Sequence, residues 1–381
     1  MKLEEYLAQI KPFDQKAADA AWAHWDSLCK PLRGMGKLED MVVQLAGIYG
    51  TEKVENPNPV VVIMGADNGV VAEGVSQTGS EVTAQVLENM GERISSVCIL
   101  ARQEGIEVIP VNIGMLTDGK HPRIWNRPVR YGTGNIAKEP AMTREEAIQA
   151  IVTGIEAVRE LYGQGYRMII TGEMGIGNTT PSSAMASVLL SKDPAEVTGR
   201  GAGLSTAGLE HKIEVIRQAI AINEPDPNDI IDVLSKIGSL DIAGMIGCYI
   251  GGAIAGVPVL IDGFISSISA YCAAKLAPAC KAYMVATHCS AEPAGKMMLD
   301  ALGMEAPLHA GMHLGEGTGA VTAYSLYKYA LALYNGLPSF AEGNVEQYEH
   351  LRQLRSLSKH ARAPLERSGC VRRPGETTPA A

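Results

Sequence analysis

Short runs of consecutive apolar residues alternate along the chain with helical stretches. Val60-Val-Val-Ile-Met64, Val108-Ile-Pro-Val-Asn-Ile113, Met168-Ile-Ile170, Val259-Leu-Ile261 and Ala282-Tyr-Met-Val-Ala286 read as five strands. The pattern between them predicts helices over 82–100, 143–162, 209–222 and 267–276. Strands that are apolar at every position, rather than at every second one, are buried on both faces. The alternation therefore predicts an α/β fold: a parallel sheet flanked by helices on both faces. In such sheets ligands sit beyond the carboxyl ends of the strands. Here those ends are followed by Gly-Ala-Asp-Asn-Gly69, Gly114, Thr-Gly-Glu-Met-Gly175, Asp262-Gly263 and Thr-His-Cys-Ser290, so a site is expected there.

Residues 1–50 read as two helices, 17–28 and 38–48, and Asn56-Pro57-Asn58-Pro59 breaks the chain before the first strand. A further helical pattern runs through Val321, Tyr324, Leu326, Tyr327, Ala330 and Leu331. The stretch 241–264 is nearly all apolar, but glycines, Pro258 and Asp262 interrupt it. It reads as a buried helix and a buried strand, not a membrane span. The tail 361–381 is basic and polar with prolines, and is expected to be loosely ordered.

Composition narrows the function. Of 381 residues, 46% are hydrophobic and 20% charged, which suits a globular chain. Only 3 Phe and 3 Trp accompany 41 Gly, and the net charge is −9. That balance argues against nucleic-acid and anionic-membrane partners. An anionic small substrate needs local help from backbone N–H groups and a few Lys or Arg. The seven cysteines form no CxxC pair, and the first ten residues lack the order of a secretory signal. A reduced, cytoplasmic protein is expected. The eight His show no metal-binding spacing, and neither metal nor cofactor is expected.

Two glycine-rich turns carry candidate chemistry. Gly311-Met-His-Leu-Gly-Glu-Gly-Thr-Gly-Ala320 sets Glu316 between glycines just before a helix. Glu316 is open to a ligand and placed to accept a proton; alternatively it is a surface acid favoured by the helix dipole. Thr171-Gly-Glu-Met-Gly-Ile-Gly-Asn-Thr-Thr-Pro-Ser-Ser183 enters as a strand and leaves as a helix. Pro181 suits a first helical turn, and Thr179 or Thr180 can cap it. This is either a phosphate cradle or an ordinary capped helix, with Glu173 a second candidate acid. It has neither the Walker nor the dinucleotide spacing. Gly199-Arg-Gly-Ala-Gly-Leu204 is another such turn. Lys212 follows it and reads as a phosphate partner or as solvated surface. In His288-Cys-Ser-Ala-Glu292, neighbouring side chains point apart, so a Cys/His nucleophile is disfavoured and Ser290 is the better substrate contact.

Six motifs in order resemble the nicotinate-nucleotide–dimethylbenzimidazole phosphoribosyltransferase family over about residues 20–335. They are Gly65-Ala-Asp-Asn-Gly-Val with Glu73-Gly-Val-Ser, Gly172-Glu-Met-Gly-Ile-Gly-Asn-Thr-Thr-Pro181, Ile222-Asn-Glu-Pro-Asp-Pro227, Asp232-Val-Leu-Ser-Lys-Ile-Gly238, Leu260-Ile-Asp-Gly-Phe264 and Leu314-Gly-Glu-Gly-Thr-Gly-Ala320. The resemblance implies a large domain over 55–324 and a small helical domain from 1–50 and 325–360. It implies transfer of phosphoribose from nicotinate mononucleotide to an aromatic acceptor, with inversion to the α-glycoside, in cobamide biosynthesis. Glu316 matches the base and Glu173 a second active-site acid. Gly175, Asn178, Thr179, Thr180, Gly201 and Lys212 match the phosphate and ribose region. Ser290 and Gly315 match the nicotinate region, and Thr78, Val86, Glu88 and Leu314 the acceptor pocket.

Departures fall mainly in that pocket. Asn68 stands where the family usually has His, and Lys30-Pro-Leu-Arg-Gly-Met-Gly36 where it has Lys-Pro-x-Gly-Ser-Leu-Gly. Thr78 and Val86 replace the usual Ser and Gln. A phenolic acceptor is the specific alternative to dimethylbenzimidazole, with Glu88 holding a water for the extra proton transfer. The family implies a homodimer, or a heterodimer with a paralogous subunit in its phenol-activating branch. A catalytically silent subunit is the competing reading.

Overall fold

The computed structural model describes residues 2–348. Six parallel strands form one sheet: β1 (Pro59–Ala66), β2 (Glu107–Gly114), β3 (Trp125–Asn126), β4 (Met168–Met174), β5 (Val259–Ile261) and β6 (Met284–Ala286). Their order is β3-β2-β1-β4-β5-β6. The chain moves outward from β1 to β2 and β3, then returns to lay β4 on the other side of β1. Connections above β1 and β4 therefore leave in opposite directions, which opens a crevice at their carboxyl ends.

The two faces of the sheet divide its residues by alternation. Val60, Val62, Met64, Ile169, Val259 and Ile261 join one apolar cluster, and Val61, Ile63, Ile170 and Leu260 join the other. All eight residues of β1 are buried. Helices Arg144–Gly163, Leu240–Ala255 and Phe264–Leu276 supply buried residues to the first cluster. Helices Gln15–Ser27, Lys37–Tyr49 and Thr318–Gly336 supply the second, through Trp25, Val42, Leu45, Tyr327, Leu331 and Tyr334. Helices 15–27, 37–49 and 318–336 thus meet under one face of the sheet, while the first helix, Leu3–Leu7, packs through Leu3 and Tyr6 into the cluster on the other. The expected share of a small domain over 349–360, and the tail 361–381, lie outside the described residues.

The apolar stretch after Asp241 is a buried helix pressed against a neighbour. A Cβ at Gly247 would lie 2.0 Å from the Ile151 carbonyl oxygen, and one at Gly154 2.0 Å from that of Gly244. Only glycine permits that approach, so the segment's glycines serve helix–helix contact. Among the described residues no helix is long and apolar enough to cross a membrane.

The edge strand β3 was not among the five that the pattern predicts, and three boundaries also differ. β4 runs on to Met174, so Glu173 is a strand residue. The last strand is only Met284–Ala286, because Pro278–Tyr283 forms a 3₁₀ turn. The helix expected over 82–100 is two helices, Glu81–Gly91 and Ser96–Glu104, with Arg93 left-handed between them. The apolar period carries across this break and hides it. The break matters, because it exposes a fresh helix N-terminus whose Val97 N–H faces Glu316.

Candidate active site

The loops beyond β1, β4, β5 and β6 enclose a cavity of about 260 Å³. Glu316 sits on its wall in an unusual backbone. Gly315, Glu316 and Gly317 all have left-handed φ, at 86°, 60° and 81°. For glutamate that conformation costs roughly 1 kcal/mol, a strain typical of residues held for function. Two contacts hold the turn. A Cβ at Gly172 on β4 would lie 2.9 Å from the Glu316 carbonyl, so glycine there admits the backbone. The buried Asp262, just after β5, accepts from the Gly317 N–H at 3.2 Å and the Ala320 N–H at 3.0 Å.

Asp262 therefore caps helix Thr318–Gly336, and Glu316 does not. This corrects the reading of Glu316 as an acid stabilised by that helix. Among the described residues its own carboxylate receives only the Val97 N–H, at a long 3.4 Å. Burial pushes the Glu316 carboxyl above the ordinary range; Val97 opposes this and the Asp262 charge adds to it. A glutamate behind a helix start would be a weak base, but here the dipole is answered by another acid.

Glu173 lies beside this turn, at the end of β4. One carboxylate oxygen accepts from the Asn178 side-chain amide. The other points at Gly315, where a Cβ would lie 2.6 Å away. Burial first, then the nearby Asp241, pushes Glu173 up to about 8.

The other end of the cavity is cationic. Helix Thr179–Leu190 begins there, with Gly177 left-handed just before it. Lys212, on helix Thr206–Asn223, reaches in beneath and is 1% exposed. Its ammonium donates to Thr179 Oγ1 at 2.7 Å and to the Gly199 carbonyl at 3.4 Å. It makes no ion pair among the described residues. Burial lowers it to about 8. The Glu292 carboxylate opposes this from beyond ion-pair distance, and a buried ammonium without a direct partner is costly unless an anion arrives. Gly201, left-handed at 53°, leaves room above it: a Cβ there would lie 3.0 Å from Thr179 Oγ1.

An anion-ready cation and a raised carboxylate across one crevice describe a group-transfer site for an anionic substrate. A phosphoribosyltransferase family model matches residues 10–345. The chain belongs to this family. It is similar to the nicotinate-nucleotide–dimethylbenzimidazole phosphoribosyltransferase of Ruminiclostridium cellulolyticum, 46% identical over 92% of this chain and 100% of the relative. The Clostridium tetani protein of the same name is 43% identical over 93% of this chain and 98% of its own. A crystal structure of CobT from Thermus thermophilus superposes with a TM-score of 0.83 at 36% identity, covering 87% of this chain and 100% of that one.

In this phosphoribosyltransferase the cavity gathers Glu173, Gly175, Asn178, Thr179, Gly201, Lys212, Ser290, Leu314, Gly315 and Glu316. Four expected residues lie outside its lining. Thr180 is fully buried inside its helix. Neither it nor Thr179 caps that helix: the cap position is Asn178, whose side chain turns to the carboxylates instead. Thr78 is exposed on its loop, although its neighbours Ser76 and Gln77 line the cavity. Val86 packs against the apolar cluster under the sheet. Glu88 lies outside the lining, and its carboxylate accepts the Lys120 N–H at 2.6 Å and the His121 N–H at 3.0 Å.

His288 is buried, and its ring fills the space that a Cβ at Gly319 would need. The Cys289 thiol is raised by burial, which leaves it a poor nucleophile. The sequence pattern did not single out Asp262, which caps the helix behind Glu316, the lining residues Arg200 and Glu292, or Asp241 behind the wall. An acid opening an otherwise apolar helix was the available signal for Asp241. Among the described residues no cluster of metal-binding side chains occurs.

Proposed function

We propose that this chain moves the 5-phosphoribosyl group from nicotinate mononucleotide to an aromatic lower-ligand base of the dimethylbenzimidazole type, in the cytoplasm, for cobamide assembly. The donor's phosphate sits at Lys212, Thr179, Gly201 and the start of helix Thr179–Leu190. Its nicotinate lies toward Ser290 and Gly315. A ring nitrogen of the acceptor attacks C1 of the ribose from the face opposite nicotinate. The C1–N bond to nicotinate breaks, and nicotinate leaves with the electron pair. Glu316 takes the proton from the acceptor's second nitrogen. Attack from the opposite face inverts the anomeric centre to α.

The observation that carries this reading is Glu316, held left-handed with a raised carboxyl, across the cavity from the unpaired buried Lys212. One base suffices for an acceptor that attacks through a lone pair. A phenol attacks through an oxygen that is a weak nucleophile until deprotonated, and Glu88, the group expected to help there, lies outside the cavity lining with its carboxylate on two backbone N–H groups. That favours the benzimidazole acceptor, as do the names of the relatives. Two acids in the cavity favour an active chain over a silent subunit. Ile94 and Ile99, 62% and 51% exposed, flank the Val97 that meets Glu316. A second copy of the chain covering them would make the dimer and shelter the base.

The test is turnover of nicotinate mononucleotide with dimethylbenzimidazole, phenol or p-cresol, with the product's anomeric form read by NMR. The α-riboside of dimethylbenzimidazole is expected. Turnover of the phenols alone, or of nothing while the chain remains folded, would overturn the reading.

A further inference from the structure

Glu173 is not alone behind the cavity wall. The single amide nitrogen of Asn178 donates to Glu173 and, at 2.7 Å, to Asp241 Oδ2. Two oxygens on one nitrogen are no farther apart than about two hydrogen-bond lengths. Asp241 is fully buried at the start of helix Leu240–Ala255, and its other oxygen accepts from the Ile242 N–H at 3.0 Å. It touches the wall from outside the cavity: a Cβ at Gly175 would lie 3.1 Å from Asp241 Oδ2. Neither acid makes an ion pair among the described residues. Further acids face the pair from every side. Glu316 and Asp262 act on Glu173, Asp67 from the end of β1 acts on Asp241, and Glu81 acts on Asp67.

We propose that Asp241 is a positioning residue whose charge, held beside Glu173 by the Asn178 fork, leaves the pair with one proton between them and puts it on Glu173, so that Glu173 meets the donor nucleotide as a neutral acid. Two carboxylates this close, with an amide and no cation between them, do not both ionise near neutrality. The shared proton belongs on Glu173. Asp241 has the Ile242 N–H and a helix start to stabilise its charge, whereas Glu173 has only the amide. Burial raises Asp241 to about 6 and Glu173 to about 8, the same order. The free oxygen of Glu173, aimed at Gly315, then donates a hydrogen bond to an oxygen of the bound donor. A neutral Glu173 also removes one negative charge from the path of a substrate bearing phosphate and carboxylate. Glu316 is left as the charged base.

The consequence for the donor rests on the transfer reaction proposed above, whereas the shared proton is measured on the protein alone. Infrared titration of the unliganded protein reads protonated carboxyl groups directly. A band missing in E173Q is expected to persist above pH 7 and to titrate near 8. In D241N, which removes the neighbouring charge, the same band is expected to titrate at least about one pH unit lower. Should D241N fold poorly, D241S removes the charge with a smaller side chain. In the assay, E173Q mimics the neutral acid and is expected to cost about tenfold in kcat, against the hundredfold or more expected of E316Q. No E173Q-sensitive band at pH 7, superimposable titrations for wild type and D241N, or equal losses in E173Q and E316Q would each overturn the proposal.

Discussion

The two ends of the cavity solve the same problem with opposite charges. At one end the buried Lys212 makes no ion pair among the described residues, with only Glu292 acting on it from farther off, and at the other the half-buried Glu173 and Glu316 have no cation beside them among those residues. A direct Lys–Glu pair would satisfy both, yet among the described residues no such pair forms. Burial instead moves both groups toward neutrality, Lys212 down to about 8 and Glu173 up to about 8. Paired charges would stabilise the empty protein and close the site. Separated ones are left for a substrate that is anionic at one end and reactive at the other.

That contrast can be broken from either end. E316Q is expected to have the largest effect, a loss of about 10²–10⁴ in kcat with little change in the KM for nicotinate mononucleotide, the signature of a lost base. K212M acts at the other end. Steady-state kinetics are expected to show a roughly 100-fold higher KM with kcat nearly kept, for loss of a buried charge-assisted contact worth about 3 kcal/mol. D262A removes the cap behind Glu316. Thermal unfolding is expected to show a loss of about 1–2 kcal/mol, and kcat to fall about tenfold as the turn loosens. Because the Asp262 charge helps to raise Glu316, the acid limb of the rate profile moves to lower pH in that variant. E88Q, outside the cavity, is expected to stay within about twofold in kcat/KM, as a substitution that leaves the cavity lining intact. A large loss there would bring Glu88 back into the acceptor site.

Much of this was legible in the linear pattern, and the reasons are physical. Doubly buried strands are apolar at every position, so β1, β4 and β5 stand out, and polar residues at their ends mark the crevice. Glu316 and Lys212 were visible because glycine-rich turns surround or precede them. What stayed hidden depends on contacts between distant segments. Asp262 caps a helix that begins far along the chain, and nothing local marks it as a cap. The family resemblance put Glu88 near the acceptor, but the loop that takes its carboxylate comes from beyond β2. The break at Arg93 is masked by an apolar period that continues across it. The split between Glu173 and Asp241 required knowing that one amide reaches both.

The central claim is that Glu316 takes the acceptor's proton. Its most direct test is the pH profile of single-turnover transfer, from nicotinate mononucleotide to dimethylbenzimidazole, in wild type and E316Q. The wild-type rate is expected to rise with pH through a carboxyl titrating above the ordinary glutamate range, since the base works only when ionised. The residual rate of E316Q is expected to lose that acid limb. An E316Q profile that keeps the same limb would assign the proton to another group.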